Sequence, residues 1–381
     1  MKRNGKGLLV ITELFLPTKG GTAVWFDEVY RRLGGREIHI VTAEVAGAAA
    51  HDREHPNSVH RLRLKRHWWL KPESLGMYTK FLANSLGILM TRPVNAIHAG
   101  RVLPEGLVGW IGARLFHIPL IVYAHGEEIT TWRQPAKFKA MSFVYSHADL
   151  VIANSEFTRE ELLKLGVEAE RITLIYPGVD IERFRPGLPY EDLKQGIGLV
   201  SGQKLLLSVG RLSRRKGFDL VIKTLPDLVK SGLDVHYALI GIGEDRMYLR
   251  ELAEQRSVAD RVHFLGHVST EDLPRWYNAC DLFVMPNREI DGDTEGFGMV
   301  FIEAAACGKA SIAGKAGGTG AAVIEGVTGL RVDGECQSEL YEAITELLGK
   351  PDLLENFAKA ALQRARGEFG WESVARKTML L

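Results

Sequence analysis

Two glutamates eight positions apart, Glu295 and Glu303, lie in the stretch DGDTEGFGMVFIEAAACGKASIAGKAGG between Asp291 and Gly318. The first precedes a short glycine-bearing loop, and the second sits inside an alanine-rich run of helical character. A helix starting near Gly298 leaves its first backbone N–H groups without intrahelical partners, which makes an anion site. Gly296 and Gly298 have no Cβ, so a diphosphate can approach the backbone there. Glu303, one to two turns into the helix, faces back toward the same ligand and can accept hydrogen bonds from vicinal hydroxyls such as those of a ribose. A nucleoside diphosphate sugar presents both features.

Further groups suit the same chemistry. The segment GRLSRRKGFD, residues 210–219, places Arg211 and Lys216 in a loop after an apolar run, where two cations would stabilise a departing diphosphate. Arg214 and Arg215 lie beside them, and four neighbouring basic residues are also what a solvated loop contains. His125 follows the run PLIVYA, with Glu127 and Glu128 placed to orient it or tune its proton affinity. Gly20-Gly21 reads either as a phosphate approach at a helix start or as a tight entry turn without a ligand. Asp291-Gly292-Asp293 has the D-x-D spacing of a metal-bridged diphosphate site. With Arg211 and Lys216 already assigned to that charge, we read it as an acidic turn and expect no metal.

These residues need a scaffold that brings loops to one sheet edge. The runs GLLVIT, EIHIVT, VHRLRL, NAIHAG, PLIVYA and DLVIAN alternate with helical segments at TAVWFDEVYRRL, about 74–90 and about 103–116. A second series follows: KLLLSVG, VHYALIG, RVHFLG, DLFVMP and KASIAG, again separated by helical patterns. Continuous apolar runs alternating with helices indicate parallel, doubly wound sheets, which bind ligands outside the carboxyl ends of their strands. The expected fold class is α/β, with two Rossmann-like domains facing a cleft. The expected divisions are an N-terminal domain at 1–185, a proline- and glycine-broken linker at 186–202, a C-terminal domain at 203–365 and a last helix at 366–381 that returns toward the N-terminal domain.

Composition narrows the field. At 381 residues two domains are expected, and a formal charge of +1 gives no basic field for nucleic acid. Cys280, Cys307 and Cys336 lie far apart in apolar or helical contexts, which suits buried thiols in a reducing compartment. Glu13 interrupts the N-terminal apolar run before a secretory leader is complete, and no apolar run reaches a membrane-spanning length. The stretch HRLRLKRHWWLKPES, residues 60–74, combines cations with Trp68 and Trp69. One reading is a patch for an anionic membrane surface; the other is an ordinary strand, with Val59, Leu62 and Leu64 inward, followed by a loop.

Taken together, FLPTKGG, AHGEE at 124–128, ANSEFTREELLKLGV at 153–167, YPGVDIERFRP at 176–186, GRLSRRKGFD and the E-x7-E of Glu295 and Glu303 resemble the family-4 retaining glycosyltransferases of the GT-B fold. The likeness runs from about residue 8 to about residue 370 and leans toward the lipid-directed mannosyltransferases. It implies a hexose, of mannose or glucose type, moved from a donor such as GDP-mannose to a glycan or lipid-linked acceptor, with no cofactor besides the donor. It also implies a cytoplasmic enzyme, peripheral on the inner face of a membrane.

By the same resemblance, Arg211 and Lys216 grip the diphosphate, the backbone of Phe297, Gly298, Met299 and Val300 holds its phosphates, Glu303 holds the ribose, and Glu295 meets the donor sugar near its anomeric carbon. His125 is similar to the family's histidine near the sugar C6 hydroxyl, Gly21 to the glycine facing the diphosphate, and Val268 to a contact for the base. One departure is Gly317-Gly318-Thr319-Gly320-Ala321, where the family carries a proline and an acid after its second glycine pair. The alternatives are a non-catalytic nucleotide-sugar-binding subunit, or another GT-B enzyme such as a phosphorylase, which would need a cofactor lysine. A dinucleotide dehydrogenase fits less well, because Gly241-Ile242-Gly243 lacks a third glycine.

Overall fold

The apolar runs form two parallel sheets. A computed structural model describes residues 7–64 and 75–381 and divides them into two units: residues up to Pro177 with Trp371–Leu381, and Gly178–Gly370. The first unit contains β1 (Leu8–Ile11), β2 (Ile38–Ala43), β3 (Ser58–Leu62), β4 (Ala96–Ala99), β5 (Leu120–Ala124), β6 (Leu150–Ala153) and β7 (Ile172–Leu174). Their order is β3-β2-β1-β4-β5-β6-β7, every pair parallel.

Alternation along the strands sets the two faces of this sheet. Leu9, Ile11, Ile97, Ala99, Leu120, Val122 and Ala124 pack with Phe81 and Leu89 from the helix Leu75–Thr91 and Val108 from the helix Leu107–Phe116. Tyr30, from the helix Gly21–Leu33, donates its hydroxyl to Tyr123 at 3.1 Å and lies 2.8 Å from His98 Nδ1. The helix Trp371–Met379 rejoins this unit against Gly21–Leu33, with Glu372 paired to Arg32 at 3.0 Å.

The second unit holds β8 (Lys204–Val209), β9 (Val235–Ile240), β10 (Val262–Gly266), β11 (Leu282–Met285), β12 (Ser311–Gly314) and β13 (Gly329–Val332). The order is β10-β9-β8-β11-β12-β13, again parallel throughout. Strand order reverses between β1 and β4 in the first sheet and between β8 and β11 in the second. Such reversals open a crevice at the carboxyl ends of the strands, because the loops there turn to opposite faces.

The structure corrects the expected linker at 186–202. The division falls after Pro177, and Glu191–Gly196 is a helix packed on the second unit. Asp192 pairs with Arg275, whose Nε donates to Pro189 O at 2.8 Å, and Leu188 N–H reaches Asn278 Oδ1 at 3.3 Å. Prolines break periodicity without freeing the chain when side chains supply the missing partners.

Of the 60–74 stretch, residues 65–74 lie outside the described residues. Leu62 and Leu64 pack on the core, Arg61 grips Asp52 and also donates to Ala43 O, and Arg63 pairs with Glu44 at 2.7 Å. Both arginines in the described part are therefore engaged with the protein itself.

Candidate active site

The crevice of the second sheet collects most of the expected residues. After β8 the chain runs through Gly210 and Arg211 into a 3-10 turn, Arg214–Lys216, before the helix Phe218–Lys230. After β11 it passes Asn287, a two-residue turn at Asp291-Gly292, and then Glu295. Ile290 and Asp293 close that turn with bonds of 3.0 and 2.8 Å, so Asp291-Gly292-Asp293 is a reverse turn, as read from sequence. Among the described residues, no three His, Cys, Asp or Glu side chains are grouped to hold a metal.

Lys216 Nζ contacts Glu295 Oε2, and Arg215 Nη1 reaches the same oxygen at 3.1 Å. Arg215 Nε also donates to Asp293 at 3.1 Å. Burial by itself would raise the Glu295 carboxyl, but Lys216 and Arg215 together outweigh it and hold the group below its ordinary range. Glu295 is therefore an anion under two cations. Arg211 is not part of this group: its guanidinium is exposed and pairs with Glu244 Oε2 at 3.0 Å.

The backbone of Glu295 is held as well. Gly318 N–H donates to Glu295 O at 2.6 Å, and Gly317 has φ +69, with room for no Cβ against that same oxygen. The second glycine pair thus closes on the acidic loop, and Thr319 Oγ1 anchors the turn by donating to Gly314 O at 2.6 Å. These bonds hold the turn in place without the family's proline. Asn287, a buried residue that sequence reasoning passed over, donates to Ala316 O and accepts from Gly314 N–H, both at 3.1 Å.

The helix Met299–Ala306 starts from Gly298 at φ 89 without a side-chain cap. Its first backbone bond runs from Phe301 N–H to Gly298 O at 3.0 Å, so Met299 and Val300 precede any intrahelical acceptor. Gly296 lies half-buried in the approach, and Phe297 is buried edge-on against Phe369. Glu303, in the second turn, accepts the Tyr277 hydroxyl at 2.7 Å. Burial pushes Glu303 up to about 7, while the Tyr277 bond and the Arg183 charge oppose the rise. Tyr277 packs edge-on against Phe184, and Arg183 lies over that ring. Val268 is half-buried in the loop after β10.

In the first unit, His125 stands directly after β5, and Gly20-Gly21 opens the helix Gly21–Leu33 in the segment that follows β1. His125 Nε2–H donates to Gly100 O at 2.8 Å, so in the neutral ring Nδ1 carries the lone pair. Its backbone N–H donates to Glu128 Oε1 at 2.9 Å, and Tyr145 bonds the same oxygen at 2.5 Å. Glu128 thus fixes the loop, whereas Glu127 faces Arg101 at 3.7 Å. Burial lowers the proton affinity of His125; the charge of Glu128 opposes the drop and that of Arg101 adds to it.

Gly20 has φ 133, and the helix that follows has an exposed, uncapped start. Glu105, unmarked in the sequence, is fully buried after β4 and accepts Glu13 N–H at 2.9 Å. Burial raises it to about 7.

The chain is similar to known proteins along nearly its whole length. Residues 19–183 match the family model described as Glycosyltransferase Family 4, and residues 189–364 match the one described as Glycosyl transferases group 1. The chain is 30% identical over 390 residues to D-inositol 3-phosphate glycosyltransferase 2 of Catenulispora acidiphila, covering 94% of this chain and 88% of that protein. It is 27% identical to the GDP-mannose-dependent alpha-(1-6)-phosphatidylinositol monomannoside mannosyltransferase of Mycolicibacterium smegmatis, covering 96% and 95%. Among solved structures, Anabaena HepE in complex with UDP superposes with a TM-score of 0.81 at 22% identity over 98% of both chains, which shows a shared fold.

Proposed function

The chain belongs to glycosyltransferase family 4, and from that premise we propose that it moves a hexosyl unit, of mannose or glucose type, from a nucleoside diphosphate sugar to an acceptor hydroxyl, retaining the anomeric configuration without a metal. The observation that carries the reading is the cluster of Lys216, Arg215 and Glu295 in the crevice of the second sheet, with Glu295 on the loop that leads into an uncapped helix start.

In this mechanism the bond from the anomeric carbon to the phosphate oxygen breaks first. Lys216, with Arg211 once it leaves Glu244, and the N–H groups at Met299 and Val300 take up charge as the diphosphate departs. The acceptor oxygen then bonds the anomeric carbon on the same face and gives its proton to a departing phosphate oxygen. No carboxylate base is required. Glu295 stabilises positive charge on the sugar at that moment, Glu303 holds the ribose hydroxyls, and Val268 lies against the base. His125 offers Nδ1 to a sugar hydroxyl, and Gly21 presents its backbone to the diphosphate.

The named relatives supply the substrate side of the proposal. One depends on GDP-mannose and acts on a phosphatidylinositol mannoside, which favours GDP-mannose as donor and a lipid-linked acceptor at the inner face of a membrane. No helix among the described residues is long and apolar enough to cross a membrane.

Thermal stabilisation by GDP, UDP and ADP, with and without Mg²⁺, tests the reading on the native protein and on Glu303→Ala. A nucleotide at about 100 times its dissociation constant adds about 2.7 kcal/mol. The expected outcome is stabilisation by one nucleotide, independent of Mg²⁺ and lost in Glu303→Ala. Stabilisation by none of the three removes the proposal.

A further inference from the structure

We propose that Arg215 is a positioning residue for the transfer: it holds the Glu295 carboxylate in place, and charged, while Lys216 is drawn away to the donor diphosphate. This rests on the donor reading above and adds to it a division of labour between two adjacent cations.

The geometry separates the two. Both meet a single oxygen, Glu295 Oε2, but Lys216 meets nothing else on that loop, whereas Arg215 spans two carboxylates, with Nη1 on Glu295 and Nε on Asp293. Arg215 is also pinned through its backbone, because its carbonyl accepts Arg288 N–H at 2.8 Å and the Arg288 guanidinium is paired with buried Asp219. Asp293 in turn is locked by its two bonds to Ile290. An ammonium on a flexible stem can re-aim toward a diphosphate at little cost, while a guanidinium forked across two acceptors on a fixed backbone cannot.

Donor binding therefore redistributes the contacts. Lys216 turns to phosphate oxygens, and Arg215 alone remains on Glu295. Without Arg215, the mostly buried carboxylate would lose its last cation and take up a proton instead. A protonated Glu295 no longer supports positive charge at the anomeric carbon.

The test compares Arg215→Gln and Arg215→Lys with Arg214→Ala. Arg214 is a suitable control because it points elsewhere, 3.3 Å from Asp245 and over the Tyr248 ring. Two readouts are needed: thermal stabilisation by GDP or UDP, and kcat and KM for GDP-mannose or UDP-glucose, followed as nucleoside diphosphate release from about pH 5.5 to 8.5. All four proteins should keep nucleotide stabilisation. In Arg215→Gln, kcat should fall about tenfold or more with KM nearly unchanged, and the acid limb of the kcat profile should move up by about one pH unit. Arg215→Lys should return the limb and much of the rate, and Arg214→Ala should match the native protein.

A rate loss in Arg215→Gln that is equal at every pH, or that Arg215→Lys does not repair, shows a merely structural residue and overturns the proposal. So does a native rate and profile in a nucleotide-stabilised Arg215→Gln. A native protein that none of GDP, UDP and ADP stabilises overturns the donor reading, and this proposal with it.

Discussion

The Tyr277 hydroxyl donates to Glu303 Oε2 across 2.7 Å, joining the helix Asp272–Ala279 to the helix that starts at Met299. The bond fixes the carboxyl group, and burial raises it to about 7 from an ordinary value of 4.5. The folded protein therefore holds a proton in this interval that the unfolded chain has released. Stability from Glu303 is full below the unfolded value and is lost as pH climbs toward 7. Glu303→Gln keeps the shape without the charge, so relative to native it should gain stability between pH 5 and pH 8, on the order of 1–3 kcal/mol. Urea denaturation at both pH values checks this; identical pH dependence in the two proteins contradicts it. Because ribose hydroxyls favour the ionised acid, nucleotide stabilisation of the native protein should be larger at pH 8 than at pH 5.5.

Lys216 and Arg211 differ in what the diphosphate must displace. Lys216 leaves a buried carboxylate that Arg215 still neutralises, and Arg211 leaves an exposed pair with Glu244 that contributes little to stability. Lys216→Ala and Arg211→Ala should each lower kcat by a factor of order 10²–10³. Steady-state turnover with GDP-mannose and UDP-glucose measures both. Near-normal turnover in Arg211→Ala would leave Lys216 and the helix start as the diphosphate's partners, and near-normal turnover in Lys216→Ala would contradict the mechanism.

The legible parts of the chain were those whose physics is local. GLLVIT and KLLLSVG read as buried parallel strands because both of their faces are covered, and they became β1 and β8. Glu303 reads as helical because Glu303 to Ala306, EAAA, is a run of good helix formers a short way after a glycine. β7 and β13 are not legible in the sequence, since Ile172–Leu174 and Gly329–Val332 are three and four residues long, too short to carry a strand pattern of their own. Tyr277 escaped because its partner lies 26 positions away, a separation that carries no periodic signal. Arg215 escaped for a different reason. Four neighbouring basic residues are indistinguishable in sequence, and only the 3-10 turn at Arg214–Lys216 decides which of them face Glu295.

Gly317 is the residue through which the second glycine pair reaches the acidic loop. Its φ of +69 is unfavourable for any side chain, and a Cβ there would meet Glu295 O at 2.3 Å and Thr294 Oγ1 at 2.5 Å. Gly317→Ala should cost about 1–3 kcal/mol and displace the Glu295 backbone. Thermal denaturation should show the loss, and turnover should fall more than nucleotide affinity, because Glu303 and the Met299 helix are anchored elsewhere. A variant with native stability would mean that the turn relaxes without strain.

His125 is a buried base in the first unit, held by Nε2–H to Gly100 O and by its own N–H to Glu128. Burial keeps its proton affinity below the ordinary histidine value, so the folded state refuses a proton that the unfolded chain accepts as pH falls below about 6.5. Stability from this group is present above that value and is lost on acidification. His125→Gln, which can still donate to Gly100, should narrow the stability difference between pH 7.5 and pH 5.5. It should also reduce turnover, because the amide cannot present the Nδ1 lone pair in the same place. Urea denaturation at the two pH values, with turnover at pH 7.5, measures both effects. An unchanged pH gap would assign the acid sensitivity to other buried histidines, of which His98, lowered to about 4 by burial, is the nearest candidate in kind.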